Sequence, residues 1–183
     1  MTRVLTLSGS TRRDSINRKL QVHMGERLRD AGLEVTEISL ADYPMALFDQ
    51  DLEPDSVPEA AARLAELFRS HDGIFIATPE YNGGLPPLTV NTIAWLSRQK
   101  PSPFRHAIFG IGGVSTGKYG AIWALSHLRD SLSKLGAVVS PMLLGIGPAS
   151  EAFAQDGGFT ETSVNTKIDQ MIRDFTELSR RPL

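Results

Sequence analysis

The stretch Asp72-Gly73-Ile74-Phe75-Ile76-Ala77 decides the fold. After a turn dipeptide, four apolar residues follow one another without alternation, and Pro79 closes the run. A strand with one wet face would alternate apolar and polar residues, so this one is to be buried on both faces, as central strands of parallel sheets are. Parallel neighbours need crossover connections, and helical patterns are therefore expected on either side.

They are found in both directions. Upstream, Val4-Leu5-Thr6-Leu7 reads as a first strand closed by Ser8-Gly9-Ser10, and Ile16, Leu20, Met24 and Leu28 as one face of a first helix, with Gly32 as its stop. Glu34 to Leu40 reads as a second strand. Val57, Ala60, Ala61, Leu64, Leu67 and Phe68 form a second helical face, with Pro58 in the first turn, where a missing N–H costs little. The connection 41–56 between them carries Pro44 and Pro54 and the acids Asp49, Asp51, Glu53 and Asp55. It is longer than a compact link requires, and a lid and a plain surface loop are both open readings.

Downstream, Leu88, Thr92, Trp95 and Leu96 trace a third helix ending near Lys100-Pro101-Ser102-Pro103. His106 to Ile111 reads as strand four, and Gly112-Gly113-Val114-Ser115-Thr116-Gly117 as a glycine-rich loop. Ile122, Leu125, Leu128, Leu132 and Leu135 give a fourth helix stopped by Gly136, and Ala137-Val138-Val139 a fifth strand. After an irregular stretch from Pro148 to Thr162, Val164, Ile168, Met171, Ile172, Phe175 and Leu178 mark a closing helix. Strict strand–helix alternation predicts right-handed crossovers and a doubly wound α/β fold in one domain, residues 1–183. The common order for five parallel strands is 2-1-3-4-5, which directs ligands to the loops after strands 1, 3 and 4.

Composition removes several functions. A net charge of -2, from 19 Lys plus Arg against 21 Asp plus Glu, supplies no field to gather nucleic acid or anionic lipid. The absence of cysteine excludes disulfides, thiolate catalysis and Cys-ligated metal, and fits a reducing compartment. No apolar run nears the roughly 20 residues of a membrane span, and Met1 leads directly into Arg3-Val4-Leu5, so a cytoplasmic location is expected. His23, His71, His106 and His127 show no metal-ligand spacing, and the acids of 49–55 lack the glycine and terminal glutamate of an EF-hand loop.

The loop after strand one runs Ser8-Gly9-Ser10-Thr11-Arg12-Arg13-Asp14-Ser15-Ile16-Asn17 into a helix amino terminus. Free N–H groups, the positive dipole end, hydroxyls and guanidinium groups suit an anion there. A capping role for Ser15 or Asp14 with solvated arginines is the plainer reading and stays open at this point. Neither the dinucleotide glycine fingerprint nor a Walker A loop is present, and no serine-hydrolase elbow occurs.

The loop after strand three is Pro79-Glu80-Tyr81-Asn82-Gly83-Gly84-Leu85-Pro86-Pro87. Gly9, Ser10, Arg12, Ser15 and Asn17, followed by Pro79, Glu80, Tyr81 and Asn82, match in order the G-S-x-R-x-x-S-x-N and P-E-Y-N loops of a known family. The chain resembles the NADPH-dependent FMN reductases, which include quinone, azo-dye and chromate reductases of flavodoxin-like fold. The resemblance implies a three-layer sandwich with helices on both faces of a five-stranded parallel sheet. It also implies that Ser10, Arg12, Ser15, Ile16 and Asn17 hold the FMN phosphate and ribityl chain, and that Pro79, Glu80, Tyr81, Asn82 and Gly83 line the flavin ring. Ser115, Thr116 and Gly117 are the candidates in the third loop.

Two departures stand out. Val90 and Ala94 occupy positions where many members carry a lysine and an acid, and Pro87 one where they carry glycine, which puts subunit-interface salt bridges in doubt more than flavin binding. The implied activity is ping-pong hydride transfer from NADPH or NADH through FMN to a quinone, azo compound, flavin or metal oxyanion, in a homodimer or homotetramer. No side-chain nucleophile is required, since the cofactor carries the chemistry. The rivals are a flavodoxin-like FMN electron carrier that does not react with NAD(P)H, and a flavin-free signalling module on the same sheet. A phosphoacceptor receiver would need acids after strand one and at the end of strand three, where this chain has Ser8-Gly9-Ser10 and Thr78-Pro79.

Overall fold

In the computed structural model, which describes residues 1–51, 57–155 and 157–178, five parallel strands form one sheet in the order β2-β1-β3-β4-β5. The chain runs β1 (Arg3–Ser8), α1 (Ile16–Asp30), β2 (Glu34–Glu37), α2 (Glu59–Arg69), β3 (Gly73–Ala77), α3 (Pro87–Ser97), β4 (Ile108–Val114), α4 (Ile122–Lys134), β5 (Val138–Ile146), the short α5 (Ala149–Ala152) and α6 (Thr162–Leu178). This is the expected flavodoxin-like order, with its switch point between β1 and β3. Every residue of β3 is buried, as its unbroken apolar run requires.

The pleat divides the core in two. Leu5, Leu7, Ile74 and Ile76 pack with Leu64, Phe68, Leu96, Leu125 and Leu128 of α2, α3 and α4. Val4 and Phe75 pack on the opposite face with Leu20, Met24 and Leu28 of α1 and Ile168, Met171 and Phe175 of α6. Each such side chain, fully buried, stabilises the fold by about 1.5–3 kcal/mol. Two buried amides add directional contacts to the packing under α1. Gln21 donates to the carbonyls of Thr6 and Ile38, both at 3.0 Å, and Asn17 reaches across to β4. The register brings Ser8 beside Ala77 and Ala77 beside Gly112, so β1 and β3 end level with one another and β4 runs two residues further, to Val114.

Several boundaries differ from the sequence reading. β2 stops at Glu37 rather than Leu40, because Ser39 accepts from the Ala41 N–H (3.3 Å) and starts a 3-10 turn over Leu40–Asp42. Pro58 is the cap residue of α2 rather than part of its first turn, and Val57 lies outside the helix and exposed. β4 spans Ile108–Val114 rather than 106–111, so Gly112 and Gly113 belong to the strand and not to a loop. A side chain at Gly113 would stand 2.6 Å from the Thr78 carbonyl oxygen, so close approach of neighbouring backbone, not turning, explains the glycine.

β5 is nine residues long where Ala137 to Val139 alone was expected. Pro141 obscures it in the sequence, yet proline is tolerated on an edge strand, which β5 is. In the connection after β2, Ala46 accepts from Asn91 Nδ2 (3.0 Å) and Trp95 Nε1 (2.8 Å), and the Phe48 N–H donates to Asn91 Oδ1 (2.7 Å). Residues 46–48 are thus strapped to α3, while Glu53 and Asp55 lie outside the described residues. His71 at the end of α2 is buried, with Nδ1 2.7 Å from the Leu67 carbonyl and Nε2 2.8 Å from the Thr36 hydroxyl, a structural contact.

Candidate functional site

The carboxyl ends of β1, β3 and β4 bring their three loops around a cleft of about 180 Å³. Ser10, Arg12, Ser15, Ile16 and Asn17 line it from the first loop, Pro79, Glu80 and Tyr81 from the second, and Ser115 and Thr116 from the third. Val114, which sequence reasoning missed because β4 was read as ending at Ile111, also lines it. Asn82, Gly83 and Gly117 do not line the cleft. Larger hollows among the described residues include a groove of about 500 Å³ outside α1 and one of about 550 Å³ beside Lys100, Arg105 and Lys134, but neither of these gathers all three switch-point loops.

In the first loop the backbone is shaped by short-range bonds. Ser10 Oγ accepts from the Arg12 N–H (3.3 Å), and the Ser15 N–H donates to the Arg12 carbonyl (3.1 Å). Ser15 is the cap of α1, its hydroxyl accepting from the Arg18 N–H at 3.4 Å, so the plain capping reading holds for this residue. It does not account for the rest. Among the described residues nothing accepts from the N–H groups of Ile16 and Asn17, and the Arg12 guanidinium has no protein partner. Unpaired donors at a helix amino terminus beside a free cation form an anion cradle.

Asn17 is placed at the cleft but occupied elsewhere. Its buried amide donates to the Val114 carbonyl at 3.0 Å and accepts from the Val114 N–H at 2.9 Å. The side chain thereby fixes α1 against β4. What Asn17 presents to the cleft is its backbone N–H.

In the second loop Tyr81 and Gly84 exchange both backbone hydrogen bonds at 3.0 Å, closing a two-residue turn. Asn82 and Gly83 at its centre have φ of 52° and 74°. Positive φ at both central positions is what a type I′ turn needs, and Asn-Gly is the pair that supplies it most readily. The pairing leaves the Asn82 and Gly83 N–H groups pointing away from any acceptor among the described residues. Tyr81 is half exposed.

Glu80 turns inward from the same loop. Its Oε2 accepts from the N–H groups of Trp123 (2.9 Å) and Ala124 (3.1 Å), the first turn of α4. Ser115 likewise organises its own loop, donating to the Gly117 carbonyl (3.1 Å) and accepting from the Ala121 N–H (3.2 Å). Gly117 shapes the loop through that contact, and Thr116 is exposed beside the cleft. The remote partner of Glu80 had one trace in the sequence: Gly120-Ala121 precedes Ile122 without a capping side chain.

Three aromatic residues at or beside the cleft stand out in solvent, Tyr81 (49% exposed), which lines it, and Tyr119 (78%) and Trp123 (61%). Trp95, in contrast, is buried at 2%. Among the described residues no helix is long and apolar enough to cross a bilayer, and no group of three or more His, Asp or Glu forms a metal site.

The chain resembles proteins whose chemistry is known. The family model described as NADPH-dependent FMN reductase matches residues 2–150. An NAD(P)H-dependent FMN reductase of Pseudomonas aeruginosa is 31% identical over 182 residues, spanning 98% of this chain and 96% of the relative. A quinone reductase of Escherichia coli strain K12 is 36% identical over 182 residues, spanning 97% of this chain and 95% of the relative. Among solved structures, the flavoenzyme NAD(P)H:(acceptor) oxidoreductase FerB of Paracoccus denitrificans superimposes with a TM-score of 0.81 at 28% identity, covering 98% of this chain and 97% of that one.

Proposed function

Because the chain belongs to the NADPH-dependent FMN reductase family, we propose that residues 1–183 form one FMN-binding domain that oxidises NAD(P)H and reduces small acceptors, quinones foremost. The observation that carries this reading is the set of groups left unpaired at the switch point. Ser10, Arg12, Ile16 and Asn17 all line the cleft, and among the described residues the Ile16 and Asn17 N–H groups and the Arg12 guanidinium have no protein partner. A phosphate would satisfy donors that are otherwise stranded.

Bound FMN supplies a ring that takes a hydride and passes electrons onward. The protein's part is position and electrostatics. The first loop would hold the phosphate, Tyr81 would offer an apolar wall, and the unpaired N–H groups of Asn82 and Gly83, just outside the cleft, would be donors for the polar edge of the ring. Ser115 and Gly117 fix the third loop, and Thr116 is free to reach the ligand. A quinone is the acceptor class supported by the quinone reductase relative; azo compounds, free flavins and metal oxyanions are the further classes the family takes.

The cleft of about 180 Å³ is smaller than the roughly 300–1,000 Å³ of pockets that enclose a whole ligand. One chain therefore walls part of the flavin and leaves the rest toward Tyr81, Tyr119 and Trp123. Exposed aromatic rings of this kind are what subunit interfaces cover. A homodimer, or a homotetramer built from it, completes the site, and the enzyme works in the cytoplasm, where NAD(P)H is at hand.

The test is anaerobic mixing of the FMN-loaded protein with NADPH and, separately, NADH. Loss of the flavin's visible absorbance within seconds, restored by adding a quinone, is the expected outcome. A yellow protein that neither nucleotide bleaches until a separate reductase is added is an electron carrier. Failure to bind FMN at all would return the chain to the flavin-free class.

A further inference from the structure

Helix α4 begins without a cap of its own. Its cap residue Ala121 has φ of 60° and no side-chain acceptor, and Gly120 before it also has φ of 60°. Helix starts ordinarily borrow a side-chain oxygen from the cap residue to satisfy an N–H two or three positions on. Here that oxygen comes from Glu80, more than forty residues earlier in the chain, and it serves both the Trp123 and Ala124 N–H groups. A carboxylate at this spot is also favoured by the positive end of the helix dipole.

The donor loop is the one that ends in the Tyr81–Gly84 turn. Glu80 is adjacent in sequence to Tyr81, so its two bonds fix the distance between the turn and the start of α4. Tyr119 and Trp123 flank that start, and Ser115 reaches it from the third loop through the Ala121 N–H. The second and third loops are thus tied to one point, and the tie passes through a single carboxylate.

We propose that Glu80 is a positioning residue that caps α4 and so holds the Tyr81–Gly84 turn in place, rather than a group that touches the flavin. The proposal rests on the reading of the cleft as the FMN site. It requires an acceptor oxygen at the reach of a glutamate side chain and does not require its charge. Glu80→Gln keeps an oxygen at that reach, Glu80→Asp keeps the charge but draws it back by one methylene, and Glu80→Ala removes both.

The three variants are compared as FMN-loaded proteins by reduction rate with NADPH, midpoint potential of the flavin, and hydrogen exchange at residues 121–125. Glu80→Gln is expected within about twofold of the parent in rate, since a neutral bond is weaker than a charged one by about half. Its flavin potential is expected to stay unchanged. Glu80→Asp and Glu80→Ala are expected to be slower by about fivefold, the factor that follows from losing a helix cap, with exchange at Trp123 and Ala124 raised by a similar factor and the rest of the chain unaffected. The reverse ranking, with aspartate active and glutamine slow and shifted in potential, would make Glu80 an electrostatic partner of the ring and overturn the proposal. Unaltered exchange at 123 and 124 in Glu80→Ala would overturn it too. Loss of FMN binding in the parent protein would instead strike at the cleft reading, which the yellow colour of the starting material checks first.

Discussion

The loops after β1 and β3 meet at one cleft but are built on opposite plans. From Ser10 to Asn17 the protein leaves groups without partners among the described residues: two N–H groups, a guanidinium and a hydroxyl hydrogen. From Pro79 to Gly84 it fixes its shape instead, with a paired Tyr81–Gly84 turn at one end and the Glu80 carboxylate tied to α4 at the other, while the N–H groups of Asn82 and Gly83 stay unpaired among the described residues. The contrast matches the two ends of a flavin nucleotide. A phosphate is recognised by donors and charge that the protein leaves free, which water satisfies until an anion arrives. A flat ring is recognised by a surface of fixed shape, which comes from bonds already made.

The contrast predicts that damage to the first loop is read in affinity and damage to the second in rate. Arg12→Ala is the largest effect expected: FMN binding weaker by about 10- to 100-fold, the range for one hydrogen bond to a charged group, measured by titrating FMN fluorescence. At saturating FMN the reduction rate should be within about twofold of the parent. A large loss of rate at saturation would erase the division between the loops.

Asn82 sharpens the other side. Alanine at φ of 52° carries a strain of about 1 kcal/mol or more that glycine does not. Asn82→Ala should therefore slow flavin reduction about fivefold in stopped-flow traces with a smaller change in FMN affinity, and Asn82→Gly should restore the rate. Equal losses of rate and affinity would mean that the turn does not face the reacting edge. The smallest effect belongs to Ser15→Ala, whose hydroxyl caps α1 rather than facing the ligand alone. Stability to urea should fall by about 1 kcal/mol, with FMN affinity changed by less than about threefold.

Much of this was legible in the sequence, and the exceptions have causes. Ile74 to Ala77 announced a strand buried on both faces, and the helices around it followed from apolar spacing. The difference at β4 lies in Gly112 and Gly113, which look like turning residues, whereas a side chain at Gly113 would collide with the Thr78 carbonyl and one at Gly112 would be tightly packed. β5 was cut short by Pro141, since nothing local reveals that a strand will lie on an edge. At the site, position was easier to read than employment. Asn17 and Glu80 both lie where motif and topology put them, yet an amide or a carboxylate does not reveal in sequence whether its partner will be a ligand or the protein's own backbone.

The amides of Asn17 and Gln21 carry a thermodynamic consequence. A helix resting on apolar contacts alone can slide by a fraction of an ångström at little cost, whereas one held by short directional bonds to β1, β4 and the residue after β2 has a single seat. The phosphate cradle proposed at the end of α1 would then be preorganised, with the entropy of ordering it lost when the chain folds rather than when the cofactor binds. Calorimetry should find FMN association free of the large unfavourable entropy that marks coupled ordering, and the amides of residues 19–21, already bonded within the helix, should be as protected from exchange before the cofactor binds as after.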